Sequence, residues 1–233
     1  MEISRDKIKG IEQLRGEFVR GEYRRIDPNR SRLIFGPTAR PVKAGQGYFS
    51  AYEIFFPFLA FGIADILTIA GGISLVPGAK DQLFYIAPKV TIPIPSETVN
   101  FAAGVLYLNL TGGTEDNTGG GIVYGVGTFG SQYASLTAGL GYGFAQGDFS
   151  EQPVIMIGGE AQVSNSIALL TENYIAPGSE STSGLLSFGI RFFGDKLAAD
   201  LAFFYPLTES GTSGFPFLPW LGFTYNFGTK AAR

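Results

Sequence analysis

The chain has 233 residues, 45% hydrophobic and only 16% charged, with 33 Gly, 21 Phe and 11 Tyr; soluble domains carry about 25% charged residues. It has no Cys and no His, which excludes a disulfide framework, thiolate metal sites and the Ser–His or Cys–His routes to nucleophilic catalysis. The net charge of −3 hides a split, since residues 1–43 hold 11 of the 17 Lys+Arg against 6 Asp+Glu, and the remainder holds 6 basic groups against 14 acidic ones.

The basic head comes first. MEISRDKIKG lacks the apolar core of a secretory signal, so the signal is expected outside this chain, or the chain is a fragment. The Arg residues of the head are interleaved with Glu. That pattern argues for a solvated segment rather than a nucleic-acid-binding patch. The turn-type Asp27-Pro28-Asn29 closes the head, and residues 1–30 are assigned as a charged N-terminal extension.

Past Arg32 the pattern has period two. Residues 55–78, FFPFLAFGIADILTIAGGISLVPG, form an apolar run with Asp65 as its single charge. A spanning helix needs about 20 uninterrupted apolar residues. Here Gly62, Asp65, Gly71 and Gly72 interrupt the run and Pro57 and Pro77 bracket it. Two strands meeting at Ala64-Asp65 fit better. In the second, Leu67, Ile69, Ile73 and Leu75 share one face and Thr68, Ala70, Gly72 and Ser74 the other.

Read this way, the chain gives twelve strands: Arg32–Ala39, Tyr48–Ile63, Ile66–Val76, Leu83–Pro93, Asn100–Leu110, Gly121–Gly130, Ala134–Ala145, Val154–Val163, Ile167–Ala176, Leu185–Phe193, Leu197–Pro206 and Phe217–Phe227. Alternation is clearest late in the chain, where Leu186, Phe188, Ile190 and Phe192 oppose Ser187, Gly189 and Arg191. Short connections at Ala64-Asp65, Ser96–Thr98, Ser131–Tyr133, Ser164–Ser166 and Gly194–Lys196 alternate with longer ones at Arg40–Gly47, Pro77–Gln82, Thr111–Gly120, Gln146–Pro153, Pro177–Gly184 and Leu207–Pro216. Alternating loop length with an even strand number is the pattern of an outer-membrane barrel whose two termini lie in the periplasm.

The fold expected is therefore all-β: an up-and-down antiparallel transmembrane barrel over residues 31–228, with a tail at 229–233. A soluble barrel or sandwich is the alternative. It requires a surface rich in Lys and Glu, yet residues 44–190 contain only Lys80 and Lys89 as basic groups. Tyr48, Tyr85, Tyr133, Tyr174, Tyr205 and Trp220 lie near strand ends, as interfacial girdles do, although some of them must face inward.

Several stretches resemble a family of uncharacterised outer-membrane β-barrel proteins of Gram-negative bacteria. They are RLIFGPTARPVKAGQG from Arg32, YFSAYEIFFPFLAFGIAD, LTAGLGYGFAQGDF and LLSFGIRFFGDKLAADLAFFYP. The resemblance covers nearly all of residues 29–228 and implies the bacterial outer membrane as location, with lipid and lipopolysaccharide as surroundings. In relatives a small strand-rich domain often precedes the barrel and ends in a segment like ISRDKIKGIEQL, here reduced to its last strand. The ending Tyr225-Asn226-Phe227 resembles strands recognised by the barrel-assembly machinery.

Inward-facing charges are the candidate functional groups: Glu53, Lys89, Glu160, Glu172, Arg191 and Asp200. Glu160, Glu172, Arg191 and Asp200 lie on four consecutive strands, so one ionic cluster on the inner wall is expected. It would act either as a selectivity or gating constellation or as a salt-bridge network that plugs the lumen. GTFGSQ and GLGYGF carry the glycine spacing of a barrel wall, not of a phosphate loop. Glu115-Asp116 could hold a divalent cation or form part of a solvated loop. No cofactor or metal is expected. Three functions remain: a narrow passive channel or binding barrel for small solutes or apolar molecules, a non-conducting structural or interaction barrel, and, least supported, an enzyme using carboxylates.

Overall fold

In a computed structural model, residues 16–19, 21–112, 119–177, 182–207 and 217–228 are described. The first two strands, β1 (Gly16–Val19) and β2 (Glu22–Arg25), form a separate hairpin. The rest is one closed wall. Its members are β3 (Gly47–Tyr52), β4 (Phe56–Ala64), β5 (Leu67–Ile73), β6 (Leu83–Ile92), β7 (Val99–Leu110), β8 (Gly120–Gly130), β9 (Ala134–Ala145), β11 (Val154–Ser164), β12 (Ile167–Pro177), β13 (Thr182–Phe193), β14 (Leu197–Leu207) and β15 (Leu218–Phe227). A two-residue strand, β10 (Asp148–Phe149), folds back on β9 outside this ring.

Every neighbouring pair is antiparallel. β15 pairs with β3, Gly222 opposite Tyr52, and closes a 12-strand barrel without an open edge. Closure satisfies the backbone within the wall, which a hydrocarbon surround demands. The two ends of the wall lie at one end of the barrel with the turns that follow β4, β6, β8, β11 and β13; the loops that follow β5, β7, β9, β12 and β14 lie at the other, together with the tight β3–β4 turn.

Alternation fixes which face meets what. On β13, Leu186, Phe188, Ile190 and Phe192 are exposed, while Ser187, Gly189 and Arg191 are buried. On β4, Leu59, Phe61 and Ile63 point out and Phe58 and Ala60 point in. The outward set joins into an apolar belt around the barrel, far larger than the few hundred Å² of apolar patch a soluble monomer exposes. Hydrocarbon is the medium in which such a belt is stable. Among the described residues no helix is long and apolar enough to cross a membrane; the strands do the crossing.

Two expected strands differ, and they offset each other in the count. Tyr48–Ile63 is two strands, because Glu53 (φ 48°) and Ile54 (φ 66°) reverse the chain. Nothing in Tyr-Glu-Ile-Phe carries the Gly, Asn or Pro that marks a turn. Glu53 consequently sits at a hairpin tip and accepts the Leu221 N–H at 2.6 Å, rather than lining the lumen as expected. Arg32–Ala39 is not in the wall at all. It lies inside the barrel, turned at Gly36-Pro37, with Arg32 bridged to Pro37, where its backbone N–H groups and its one cation meet polar wall side chains.

Candidate functional site

The inner wall changes character halfway along the barrel. Towards the short-turn end the inward residues are polar, among them Ser50, Thr68, Lys89, Thr91, Thr128, Thr137, Glu160, Arg191, Asp200 and Thr224, all buried. Towards the long-loop end they are aromatic and aliphatic. The polar half is filled by residues 27–44, which enter from the short-turn end, turn back at the barrel's middle and return to begin β3.

This plug folds as a tight loop of its own. Leu33 N–H donates to Gly36 O at 2.8 Å and Thr38 N–H to Ser31 O at 3.1 Å. Most of its remaining polar groups meet wall side chains. The Glu172 carboxylate accepts the successive backbone N–H groups of Ile34, Phe35 and Gly36 at 2.8–3.2 Å, and the Tyr174 hydroxyl at 2.8 Å. Lys89 Nζ donates to the carbonyls of Ser31, Thr38 and Arg40 at 2.7–3.1 Å. Thr128 Oγ1 accepts from Ala39 N–H, and Thr68 Oγ1 from Val42 N–H. Irregular backbone at membrane depth is stable only when its donors and acceptors are satisfied in this way.

Ion pairs complete the seating. Arg191 holds Asp200 at 2.6 Å and Asp27 at 3.0 Å, and Arg32 holds the other Asp200 oxygen at 2.6 Å. Arg40 pairs with Glu160 and donates to Ser131 O at 2.6 Å. The four wall residues grouped from sequence therefore occupy three places. Arg191 and Asp200 are bonded to each other, while Glu160 and Glu172 each hold a different stretch of plug. Lys89 holds a third stretch. Asp27, Arg32 and Arg40, the partners on the plug, were not among the candidates; the available signal was an Arg on each side of a Gly-Pro turn, Arg32 opening the supposed first strand and Arg40 just after it.

Small residues make room for the loop. A Cβ at Gly158 would lie 2.5 Å from Leu33 Cδ1, and one at Gly36 2.6 Å from the Tyr174 hydroxyl and 2.9 Å from Met156 Sδ. Gly36→Ala is expected to lower stability by about 1–3 kcal/mol, the usual cost of overpacking. The midpoint of denaturant unfolding in detergent checks it.

Above the plug lies a cavity of about 500 Å³. Phe35 and Gly36 form its floor; its walls include Tyr52, Tyr85, Tyr124, Met156 and Trp220. Phe35 stacks on Tyr174 with ring centroids 5.5 Å apart and meets Trp220 at 5.3 Å. Of the aromatics near strand ends, Tyr48, Tyr85, Tyr174 and Trp220 are thus among those that face inward. Trp220 is the only Trp of the chain. Below the plug a second cavity of about 1020 Å³, lined by polar and apolar residues alike, opens between the wall and the N-terminal hairpin. That hairpin is tied to the short turns, Arg25 reaching Asp195 at 2.9 Å and Asn165 Nδ2 donating to Tyr23 O at 2.8 Å. Glu115 and Asp116, the loop carboxylates, lie outside the described residues, as do residues 229–233. Among the described residues no cluster of three or more potential metal-binding side chains occurs.

No protein-family model and no curated protein sequence matches the chain. Solved structures do. A KdgM porin aligns with a TM-score of 0.57 at 8% identity, over 78% of this chain and 98% of that one. A KdgM porin in complex with disordered oligogalacturonate aligns at 0.53 and 5% identity, over 78% and 95%. At such identities the likeness is one of fold. This chain has the 12-strand architecture of an outer-membrane porin.

Proposed function

We propose that this protein is a binding barrel for small apolar molecules, closed to ions while its N-terminal plug is seated. The observation that carries the reading is the apolar chamber above a plug held to the wall by hydrogen bonds and ion pairs. Its volume falls in the 300–1,000 Å³ range of small-molecule sites, which are mostly apolar with a few polar groups. The wall's inward charges, the expected agents of ion selectivity, are engaged by the plug instead. That favours binding over free diffusion through the lumen, and it gives Glu160, Glu172, Lys89, Arg191 and Asp200 the role of a latch.

Orientation follows from loop length. Short turns and both termini belong on the periplasmic side, and the longer loops outside. Residues 1–30 would then be a periplasmic extension. The belt would contact outer-membrane lipid and lipopolysaccharide, and the strand ending at Phe227 would be read by the assembly machinery.

Trp220 reports on the chamber directly. With the protein in lipid nanodiscs, naphthalene should change Trp220 fluorescence saturably. Ala70→Phe, which fills chamber space without touching the plug latch, should weaken that response at least fivefold. A linear, non-saturating response identical in both proteins rejects the chamber as a binding site.

A further inference from the structure

The wall is not of even height. β6–β9 and β11–β15 run 10–12 residues, whereas β3 has 6, β4 has 9 and β5 has 7. The β3–β4 hairpin turns back level with Leu221, where Glu53 N–H donates to Leu221 O at 2.9 Å. Leu218, Pro219 and Trp220 stand above that level with no strand of the described residues beside them on the β3 side. On the other flank Phe55 O accepts the Leu75 N–H, and β5 passes into its loop just beyond. Among the described residues, two strand places above the hairpin are therefore unfilled between β15 and β5. At roughly 4.8 Å per strand spacing the opening is on the order of 14 Å wide.

The backbone at this edge is finished rather than frayed. Leu221 faces the gap and both its groups are met by Glu53, the N–H by the carboxylate at 2.6 Å. The next β15 residue facing the same way is Pro219, which has no N–H to leave orphaned. An unpaired donor there would cost several kcal/mol against hydrocarbon. The lip itself is strained. Ile54, β-branched, is held at φ 66°, a conformation costing about 1–3 kcal/mol that clusters at functional sites. Ile54 and Phe55 are exposed and carry no polar group. Directly behind them Tyr52, Phe56 and Trp220 line the chamber, the Tyr52 and Trp220 rings 5.2 Å apart. Belt, lip and chamber wall make one continuous apolar surface.

We propose that this gap is a lateral portal, and that the chamber's ligands are lipophilic, acyl-chain-like molecules that exchange with the bilayer leaflet at the long-loop end rather than with water. The proposal rests on the chamber reading above and narrows its ligand class.

The test uses Trp220 in vesicles of phosphatidylcholine with dibrominated acyl chains, since bromine quenches tryptophan near contact. A four-residue insertion, Thr-Asn-Gly-Thr, between Glu53 and Ile54 would extend the hairpin and raise the wall. Quenching in the parent should exceed that in the insertion variant at least twofold, both proteins keeping the heat-modifiable gel mobility of a folded barrel. Equal quenching overturns the portal. Should the insertion prevent folding, Ile54→Asp takes its place. The charge at the lip should slow the arrival of bilayer-loaded dibromododecane at Trp220 at least fivefold with unchanged final quenching, and an unchanged rate overturns the portal. A dimer cross-linked through Leu218→Cys would also overturn it, because a second copy would then seal the gap. Failure of the chamber reading is distinct: naphthalene would not saturate, whatever the bromine result.

Discussion

Replacing residues 29–42 by a short Gly-Ser linker is expected to turn a silent barrel into a conducting one. In planar bilayers the parent should give no steps, and the variant discrete steps at every voltage. The reason is geometric. The plug's Asn29, Leu33, Ile34, Thr38 and Ala39 are fully buried inside a barrel whose wall does not depend on them for strand pairing. Removing the loop leaves the closed ring of hydrogen bonds intact and exposes the polar inner wall to water, which solvates the charges the plug had satisfied. The sign of selectivity follows from what remains. Glu160, Glu172 and Asp200 outweigh Lys89 and Arg191 by one charge, so the open form should prefer cations. Neutralising Glu160 and Glu172 together, as Gln, should shift the preference to anions. A plug-deleted barrel that is folded yet silent would mean that the described plug is not what closes the lumen.

Much of this architecture was legible in the sequence, and the exceptions have physical causes. Period-two alternation on β9, β13 and β15 is sharp because lipid favours apolar side chains outside, so outward positions read mostly Leu, Phe and Ile, with Ala138, Tyr142 and Tyr225 among them. Turns at Ala64-Asp65 and Gly194–Lys196 carry the polar residues that water-facing connections need. The Glu53–Phe55 turn has Glu53 but no Gly, Asn or Pro, and its left-handed backbone at Glu53 and Ile54 is held by β15 and β5, not by local preference. Arg32–Ala39 has the length and apolar content of a strand. What sets it apart is where its backbone hydrogen bonds go, to Glu172, Lys89 and Thr128 of distant strands, and no local pattern records that. The inward charges could be read from alternation, but not their partners. Once the loop is placed inside, each lone wall charge acquires a reason.

The heaviest single loss should come from Arg191. It is completely buried and makes five bonds: two to Asp200, one to Asp27, and two to the carbonyls of Asn29 and Leu33. With Arg32 it forms a balanced group of two cations and two anions. Arg191→Met would strip that balance and leave Asp27 without a cation, a change that costs about 3–5 kcal/mol when one partner of a buried pair is removed. Arg191→Lys should recover little, because a compact ammonium has three donors where the guanidinium fork offers five. Adding Asp27→Asn to Arg191→Met restores neutrality and should return on the order of 1–3 kcal/mol, the coupling expected within one network. Denaturant midpoints of the three variants measure the cycle. A second readout separates a latch from a general structural role. The chain has no Cys, so Leu33→Cys gives a unique thiol buried in the seated plug. Its maleimide labelling should accelerate at least tenfold in Arg191→Met under conditions where gel mobility still reports a folded barrel. If labelling tracks only global unfolding, Arg191 stabilises the wall and does not hold the plug.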